Sequence, residues 1–464
     1  MATMLRLGRR VWQCFPNAWK HRTFVTEGCI NPNSLSRKEV LCTQPSLSYS
    51  SDSNPQQQCE ILGKAYDCDE MTSITPTIIS RVGCNLHCVP QHPINIIKQR
   101  VVHHFHKTYT NRMGNAIYAH FDNVSPVVTT EQNFDSLLVV PDHVTRSKND
   151  NYYINRTTML RAHTSAHQRD FIRMGCNQFL VTGDVYRRDE IDSSHYPVFH
   201  QMEGVRLFSR EELFQSTGGM DSELVLFETD PNLRVETNEK QAPHTIDAVK
   251  MMEFNLKETV IKLVKELFGS DIETRWGSCY FPFTHPSYEL EIKFQGEWME
   301  MLGSGIMRQQ ILENGGVSDR IGWAFGLGLD RLAMLLFDIP DIRLFWTKDK
   351  RFIEQFSSVG LDLKTNIRFK PFSKYPACYK DVSFWIPKEF NENDFHEIVR
   401  SLSEDLVEKV ELIDKFCHPS TQRVSHCYRI TYRSMDRNVT NEEINIIQEQ
   451  VRRIIVEQLR VELR

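Results

Sequence analysis

The spacing of apolar residues predicts helices and strands along the first three quarters of the chain. Apolar residues recur at helical spacing after Pro93, a residue type favoured in the first turn of a helix. Shorter apolar runs separated by polar turns then predict strands at Ser136–Val140, Phe179–Val185 and Val198–Leu207, and a longer run predicts a helix near Met251–Leu267. Folded sequence is expected to begin near Thr75. Glycines and aromatic residues are dense from Phe281 to Phe337, where we expect the active site and its supporting helix.

The pattern changes after residue 370. Residues from about Pro340 to Lys370 are predicted to form a connector, which we place at 341–369. Strand-like segments and helical stripes follow it in the order βαββαβ, at Tyr379–Ile386, Phe395–Leu406, Val410–Phe416, Ser425–Tyr432, Ile444–Ile455 and Leu459–Leu463. This order predicts a ferredoxin-like unit over residues 370–464. A fold of this kind implies no function by itself.

Composition and charge narrow the class of protein. An apolar fraction of 40% and a charged fraction of 25% are those of an ordinary globular protein. The apolar run of about 18–20 residues that a membrane helix needs does not occur, so we expect no membrane partner. The net charge of -5 argues against a bulk polyanion binder but allows local basic patches. Cys84, His87 and Cys88 form a tight cluster, but reduced thiols are a better interpretation than a zinc half-site without a second half.

The first residues of the chain have the composition of a targeting leader. Arginines and lysines are interspersed with apolar residues, and no acidic residue precedes Glu27. An Arg-rich, amphipathic, acid-poor segment is typical of a mitochondrial transit peptide. The Ser-, Asn-, Gln- and Pro-rich stretch that follows predicts processed or disordered sequence, so we place the leader at residues 1–55. A disordered basic tail is the alternative interpretation.

Two segments carry the candidate chemistry. Thr182–Gly204 (TGDVYRRDEIDSSHYPVFHQMEG) places a polar loop between two strands, and it resembles motif 2 of the class II aminoacyl-tRNA synthetases. Gly326–Arg331 (GLGLDR) is followed by the apolar run Leu332–Phe337, and it resembles motif 3 of the same enzymes. A dinucleotide-binding loop is excluded because Arg331 stands where the GxGxxG pattern needs its third glycine.

Four motifs in the family's order narrow the resemblance to the phenylalanyl-tRNA synthetases. They are His163–Gln168 (HTSAHQ), Phe199–Gly204 (FHQMEG), Phe281–Ser287 (FPFTHPS) and Trp323–Arg331 (WAFGLGLDR). The resemblance runs from about Thr75 to Arg464, and with the basic leader it points to the monomeric mitochondrial branch of the family. It implies an α+β fold, with a class II antiparallel sheet flanked by helices at 75–340. The unit at 370–464 resembles the family's ferredoxin-fold anticodon-binding domain.

The resemblance also implies an activity. The chain is expected to activate L-phenylalanine with ATP and to transfer it to tRNA(Phe) in the mitochondrial matrix. ATP should arrive as its Mg²⁺ complex, no tightly bound cofactor is predicted, and the protein ligands of Mg²⁺ are left unassigned. We expect a monomer whose C-terminal unit serves tRNA charging and is dispensable for adenylate formation. Adenylate formation depends on positioning and cationic stabilisation, because negative charge spreads over the phosphate in the transition state.

Two arginines are the predicted catalytic residues. By resemblance, Arg187 contacts the α-phosphate and the substrate carboxylate, while Arg331 contacts the distal phosphates. A planar guanidinium suits both tasks because it binds phosphate oxygens bidentately. For Arg187 taken alone, a surface ion pair with Asp189 is the alternative. Part of the motif 2 loop should lie against ATP and the tRNA acceptor end, through Ser194, His195 and Tyr196.

The phenylalanine pocket is predicted from side-chain alternation and from the resemblance. Gln201 and Glu203 lie two apart on a strand and face the same way, so Glu203 can pair with the substrate ammonium while Gln201 fixes its orientation. Phe281 and Phe283 can present two rings to the substrate ring, although such residues are more often core. The resemblance adds further pocket residues, namely His163, Ser165, Ala166, His167, Gln168, Met202, Glu300, Ala324 and Phe325.

Two departures from the family pattern affect these expectations. His285 stands where many bacterial relatives have a glutamate, a possible magnesium ligand there. Val139–Arg146 (VVPDHVTR) differs from the usual PxDHPAR pattern, which leaves the role of that loop open.

Two other functions compete with this interpretation. A synthetase-like paralogue that charges another molecule, or only binds tRNA, should have lost Arg187, Arg331 or Glu203, and all three are present. A non-catalytic RNA-binding module centred on residues 370–464 is disfavoured, because basic and acidic residues are nearly balanced there.

Overall fold

A computed structural model of the chain describes residues 58–215, 224–357, 367–371 and 375–464. The predicted leader at residues 1–55 lies outside the described residues. Within these ranges, no helix has the length and apolar character needed to cross a membrane. Two main sheets organise the described chain, one before residue 330 and one after residue 377.

The first part of the chain is built on one long sheet and two small ones. Its strands are β1 Gln58–Ile61, β2 Lys64–Asp67, β3 Ala119–Phe121, β4 Val127–Thr129, β5 Tyr153–Asn155, β6 Thr158–Leu160, β7 Gln178–Tyr186, β8 Val198–Phe208, β9 Thr274–Phe281, β10 Thr284–Phe294, β11 Glu297–Met307 and β12 Ile321–Gly328. In the described region the long sheet has the order β3-β7-β8-β12-β11-β10-β9. Its pairs are antiparallel except for the short β3, which runs parallel to β7.

Helices cover this sheet. They are α1 Pro76–Ile79, α2 Pro93–Thr108, α3 Thr130–Asn133, α4 Gln168–Arg173, α5 Arg210–Phe214, α6 Ile246–Phe268, α7 Gln309–Asn314, α8 Leu329–Phe337 and α9 Lys350–Glu354. The long α6 begins where the side chain of Thr245 accepts a hydrogen bond from the Ala248 amide, and it ends at Gly269, whose φ is 99°. The predicted helices after Pro93 and near Met251–Leu267 are therefore present.

The two faces of the long sheet pack into different hydrophobic clusters. Side chains alternate along each strand, so residues paired in register across β8 and β12 share a face. Val205 and its partner Ala324 lie in one hydrophobic cluster. Met202 and its partner Leu327 lie in the other, which contains the apolar residues of α2, α6 and α8. Gln201 and Glu203 therefore point to the face of Val205, away from these long helices.

Three expectations about local structure differ from what is observed. Ser136–Val140 is not a strand, because Asp135–Leu137 forms a 3-10 turn and Leu138 has a φ of 61°. Ordered structure begins before Thr75, with the hairpin of β1 and β2. The described part of the expected connector contains a 3-10 helix at Ile342–Trp346 and α9, and most of its apolar side chains are buried in the core of the long sheet. Apolar burial explains this last difference, since aromatic residues recur through the segment.

The C-terminal sheet follows the predicted order. Its elements are β13 Cys378–Trp385, α10 Glu392–Ser403, β14 Val407–Cys417, β15 Val424–Tyr432, α11 Asn441–Leu459 and β16 Glu462–Leu463. The described strands are arranged β14-β15-β13-β16, all antiparallel, which is a ferredoxin-like split fold. A compact core of its own lies between this sheet and the two helices, with Phe384, Phe395 and Tyr428 at its centre. The predicted α+β fold and the predicted βαββαβ order are both confirmed.

Candidate active site

A cleft opens at the end of the long sheet where β8 and β12 meet the loop between β7 and β8. The space within it, open solvent included, is about 610 Å³. Its lining comes from the loop, β8, β11, the end of β12, the start of α8 and the 3-10 helix at Ile342–Trp346, namely Asp189, Ser194, His195, Tyr196, Phe199, Gln201, Met301, Gly328, Asp330, Arg331 and Ile342. Residues of both predicted motifs, including the candidate arginine Arg331, thus line one cleft.

Arg187 is held at the start of the loop by its surroundings. Its Nε donates a hydrogen bond of 2.6 Å to the carbonyl of Ala162, and its guanidinium lies 5.2 Å from the centre of the Phe199 ring. Burial, and then the charge of Arg187, lower the pKa of His163 to about 3, so His163 is neutral beside the arginine. This arrangement fixes the direction of the Arg187 side chain before any ligand is bound.

Buried acceptor oxygens gather around Glu203. Gln168 Nε2 donates a hydrogen bond of 2.9 Å to Glu203 Oε1, across 35 residues of sequence. Three buried oxygens have no hydrogen-bond partner among the described residues: Gln168 Oε1, Gln201 Oε1 and Glu203 Oε2. Burial raises the pKa of Glu203 well above its usual range. Buried polar atoms are normally paired, so these acceptors are suited to a ligand that carries several donor hydrogens.

The loop at Glu190–Tyr196 is organised by Asp192. This carboxylate accepts hydrogen bonds from the backbone amides of Ser194, at 2.6 Å, and His195, at 2.8 Å. It also lies 2.8 Å from His195 Nδ1. The pKa of His195 is raised: burial opposes the protonated form, but the hydrogen bond and charge of Asp192 outweigh it. Asp192 therefore favours the protonated form of His195, whose imidazole lines the cleft.

A small aromatic cluster lies on the same face of the sheet as Glu203. The rings of Phe281 and Phe283 stack with centroids 5.8 Å apart and an angle of 11° between their planes. Both are buried in the cluster that contains Ala324 and Ala166. The structure therefore brings together the phenylalanines and the small residue that the sequence assigned to an aromatic slot. These residues lie in the hydrophobic cluster and do not line the open cleft.

The structure places several other predicted site residues apart from this group. Met202 and Phe325 face the long helices, because they alternate with Gln201, Glu203 and Ala324 along their strands. The Phe325 ring occupies the space above Gly204, where a Cβ would lie 2.4 Å from it. The side chains of Met202 and Phe325 therefore point away from Glu203, although their chain neighbours point towards its side of the sheet.

Three polar residues named in the sequence analysis, His167, Ser165 and His285, have contacts of their own. The ring of His167 lies near Gln132 of α3 and Asp170 of α4. Ser165 is fully buried, and its carbonyl accepts the amide hydrogen of Gln168 at the start of α4. His285 Nε2 lies 2.6 Å from the carbonyl of Thr237.

Carboxylates of β10 and β11 are candidate oxygen ligands for a divalent cation. Glu289 lies close enough to Glu300 and Glu291 that burial and then their charges raise its pKa to about 7. Glu190, Asp192 and His195 form another group whose ligand atoms lie within 4.8 Å of one another, and within the described ranges it is the one group of three such residues. Cys84 and Cys88 are free cysteines.

The sequence interpretation missed residues that line the cleft or support its walls. Asp330 accepts hydrogen bonds from the His200 amide, at 2.6 Å, and pairs with His200 Nδ1 at 3.2 Å, which ties the start of α8 to β8. Trp346 stacks on Tyr196, with ring centroids 5.3 Å apart. Phe199 could have been found from its spacing of two from Gln201, but Trp346 lies in the segment expected to be a connector and gave no local signal.

Comparison with known proteins agrees with this geometry. Residues 85–252 and 244–356 match the model of the tRNA synthetases class II core domain (F), and residues 373–464 match the ferredoxin-fold anticodon binding domain. The mitochondrial phenylalanine–tRNA ligase of Mus musculus is 54% identical over 409 residues, covering 88% of this chain and 89% of that protein. The chain belongs to the mitochondrial phenylalanine–tRNA ligases. The mitochondrial phenylalanine–tRNA ligase of Rattus norvegicus is 52% identical, and the match covers 88% of this chain and 90% of the rat protein. That of Saccharomyces cerevisiae is 41% identical, and the match covers 87% of this chain and 95% of the yeast protein.

Membership of this family confirms several predictions. The class II core and the anticodon-binding unit are present where the motifs indicated, and the location is mitochondrial, as the basic leader predicted. A phenylalanine–tRNA ligase of class II uses ATP. The paralogue and the non-catalytic module are therefore both disfavoured.

Proposed function

We propose that this phenylalanine–tRNA ligase forms phenylalanyl-adenylate in the cleft between the motif 2 loop and α8, and then loads tRNA(Phe) in the mitochondrial matrix. The observation that carries the proposal is the group of unpaired buried oxygens on Gln168, Gln201 and Glu203. The ammonium of phenylalanine has three donor hydrogens and a positive charge, which suit this group.

The two arginines are proposed to act on the phosphates. Arg187 emerges beside the Gln201 face of β8, stacked on Phe199, and is the candidate for the α-phosphate and the substrate carboxylate. Arg331 lines the same cleft from the start of α8, and is the candidate for the distal phosphates. Ser194, His195 and Tyr196 line the other wall, where ATP and the acceptor end of tRNA would lie. Preorganised cations of this kind stabilise negative charge without rearrangement during the reaction.

ATP enters this scheme as its Mg²⁺ complex. The carboxylates of Glu289 and Glu300 offer hard oxygen ligands, which Mg²⁺ prefers. His285 lacks the anionic oxygen of the glutamate found in bacterial relatives, and its ring is turned towards Thr237. We therefore propose that the metal is held mainly by the phosphates, with carboxylates of β10 and β11 in support.

The phenyl ring is proposed to enter the cluster of Phe281, Phe283 and Ala324. All three are buried on the face that Glu203 shares, so a phenylalanine bound by its ammonium there would direct its ring towards them.

The open face of the C-terminal sheet is the proposed contact for the anticodon loop. Trp385 and Phe416 flank Ser425 in register, on the face opposite the buried Phe384, with ring centroids 6.1 Å apart. The guanidinium of Arg464 lies 4.6 Å from the centre of the Phe416 ring. Aromatic and guanidinium planes stack on unpaired bases, so this surface fits a single-stranded RNA loop.

The organisation of the chain is proposed to follow the same division. A leader at residues 1–55 precedes a catalytic domain built around residues 75–340. The described part of residues 341–369 packs into the core of that domain and leads to the C-terminal unit, and residues 370–464 bind the anticodon. The protein is proposed to act as a monomer, because one chain carries both the cleft and the anticodon-binding unit.

The proposal is tested by charging of mitochondrial tRNA(Phe) with labelled phenylalanine. Phe416→Ala should weaken charging about tenfold or more through KM for tRNA, since stacking on one base contributes roughly 1–3 kcal/mol. Phenylalanine-dependent pyrophosphate exchange should stay normal in that variant. A chain that charges no tRNA with phenylalanine would contradict the proposal, and a Phe416→Ala variant that charges normally would remove the stacking surface from it.

A further inference from the structure

The C-terminal unit packs against the motif 2 loop and forms hydrogen bonds with it. The Val410 amide of β14 donates a hydrogen bond of 3.0 Å to the Ile191 carbonyl, and Arg400 of α10 donates one of 2.5 Å to the carbonyl of Asp189. The side chain of Ile191 is buried in the hydrophobic core of the C-terminal unit. A loop that lines the ATP cleft on one side is thus packed into the second unit on the other.

A side chain of the C-terminal unit also bonds a side chain that lines the cleft. The hydroxyl of Tyr196 donates a hydrogen bond of 2.6 Å to Asp405 Oδ1. Asp405 Oδ2 forms an ion pair with Arg81, whose guanidinium lies 5.3 Å from the centre of the Trp346 ring. The Tyr196 ring stacks on the same Trp346 at 5.3 Å, with 23° between the planes. Asp405 and Trp346 therefore hold Tyr196 by its hydroxyl and by its ring.

The position of Asp405 is in turn fixed by the core. Arg343 donates hydrogen bonds of 3.1 Å to the Asp405 carbonyl and 3.0 Å to the Arg433 carbonyl, while a fork of bonds joins its guanidinium to Asp341. Arg343 and Asp341 are both buried. The segment bearing Asp405 is therefore anchored by its backbone, independently of the bond from its side chain to Tyr196.

We propose that Asp405 is a positioning residue for adenylate formation, which holds Tyr196 against bound ATP even when no tRNA is present. The C-terminal unit then takes part in the first half-reaction, contrary to the expectation from sequence that it serves only tRNA charging. This inference rests on the proposed function, because it takes the cleft lined by Tyr196 as the ATP site. Asp405 touches neither substrate, and it acts only through the tyrosine.

Steady-state pyrophosphate exchange without tRNA tests the proposal. Asp405→Ala should raise KM for ATP about tenfold, the loss expected for a hydrogen bond to a charged group, while kcat changes by less than about twofold. Asp405→Asn keeps an acceptor oxygen without its charge, so it should restore most of the affinity. Tyr196→Phe keeps the ring and loses the hydroxyl, and should raise KM for ATP to a similar degree. The double variant should be no worse than either single one.

A matched control separates this effect from a general loosening of the two units. Asp436 pairs with Thr347 at another point of contact between the core and the C-terminal unit, and it does not line the cleft. Asp436→Ala should leave KM for ATP unchanged.

Three results would overturn the inference: a normal KM in Asp405→Ala, an equal rise in Asp436→Ala, or fully additive effects in the double variant. Absence of phenylalanine-dependent exchange in the unaltered protein would instead contradict the proposed function, so the two failures are distinguishable.

Discussion

Replacement of Glu203 by glutamine is expected to separate stability from activity. Glu203 is fully buried, accepts a bond from Gln168 on one oxygen, and has its other oxygen unpaired. Glutamine has the same shape, and its amide oxygen can still accept from Gln168. The variant should therefore fold, and it should lose the charge and the second acceptor oxygen that we propose bind the substrate ammonium.

The size of the loss follows from this geometry. A buried hydrogen bond to a charged group contributes about 1.5–3 kcal/mol, and each 1.4 kcal/mol is a factor of about ten. The kcat/KM for phenylalanine in pyrophosphate exchange should therefore fall roughly 10- to 150-fold in Glu203→Gln. The KM for ATP should stay close to that of the unaltered protein.

The pH dependence gives a second signature. Burial raises the pKa of Glu203 above its ordinary value of 4.5, so the empty site favours the neutral carboxyl. A bound ammonium favours the carboxylate, so binding releases a proton and affinity for phenylalanine should improve as pH rises, by at most about tenfold per unit. Because the pKa of Glu203 is raised in the folded protein, the free energy of unfolding without phenylalanine should fall as pH rises through that pKa. Glutamine does not titrate, so Glu203→Gln should not show this loss.

Two measurements check this reasoning. Without phenylalanine, the Tm of Glu203→Gln should rise relative to the Tm of the unaltered protein as pH increases. Exchange kinetics at several pH values should show a KM for phenylalanine that depends on pH in the unaltered protein and is flat in the variant. A folded Glu203→Gln variant with near-normal kcat/KM, or with the same pH slope, would refute the role of this carboxylate.

Three further predictions concern other parts of the chain. Arg187→Ala should lower the exchange rate about a hundredfold or more, as for loss of one preorganised donor, and a near-normal rate in the folded variant would contradict its role. Ala324→Gly should deepen the slot beside Phe281 and raise the ratio of kcat/KM for para-chlorophenylalanine to that for phenylalanine by roughly ten- to two-hundredfold, whereas an unchanged ratio would make Ala324 ordinary packing. Residues 1–55 fused to a reporter should direct it to mitochondria under the microscope, and a diffuse cytosolic signal would rule out a transit peptide.

Side-chain periodicity allowed part of the site to be predicted from sequence. Gln201 and Glu203 share a face because they lie two apart on β8, and the spacing of two also includes Phe199. The same rule explains why the side chains of Met202 and Phe325 face the long helices: a family motif marks a stretch of chain, but neighbouring residues on a strand face opposite ways.

Contacts between distant parts of the chain could not be predicted in this way. The bond from Gln168 to Glu203 and the bond from Tyr196 to Asp405 join residues 35 and 209 positions apart. Trp346 lies in a segment that sequence patterning assigned to a connector, yet it stacks on a residue of the cleft. Such contacts depend on how whole units pack, which local patterns of apolar and polar residues do not encode.

The central claim is that Glu203 and Arg187, together with the cleft lined by Arg331, form the site that activates phenylalanine. Pyrophosphate exchange with each of the twenty amino acids, measured separately on the same protein, tests it most directly. The account predicts rapid ATP exchange with phenylalanine, weak exchange with tyrosine and none above background with the others. Exchange that depends on a different amino acid, or that is absent with phenylalanine, would contradict it.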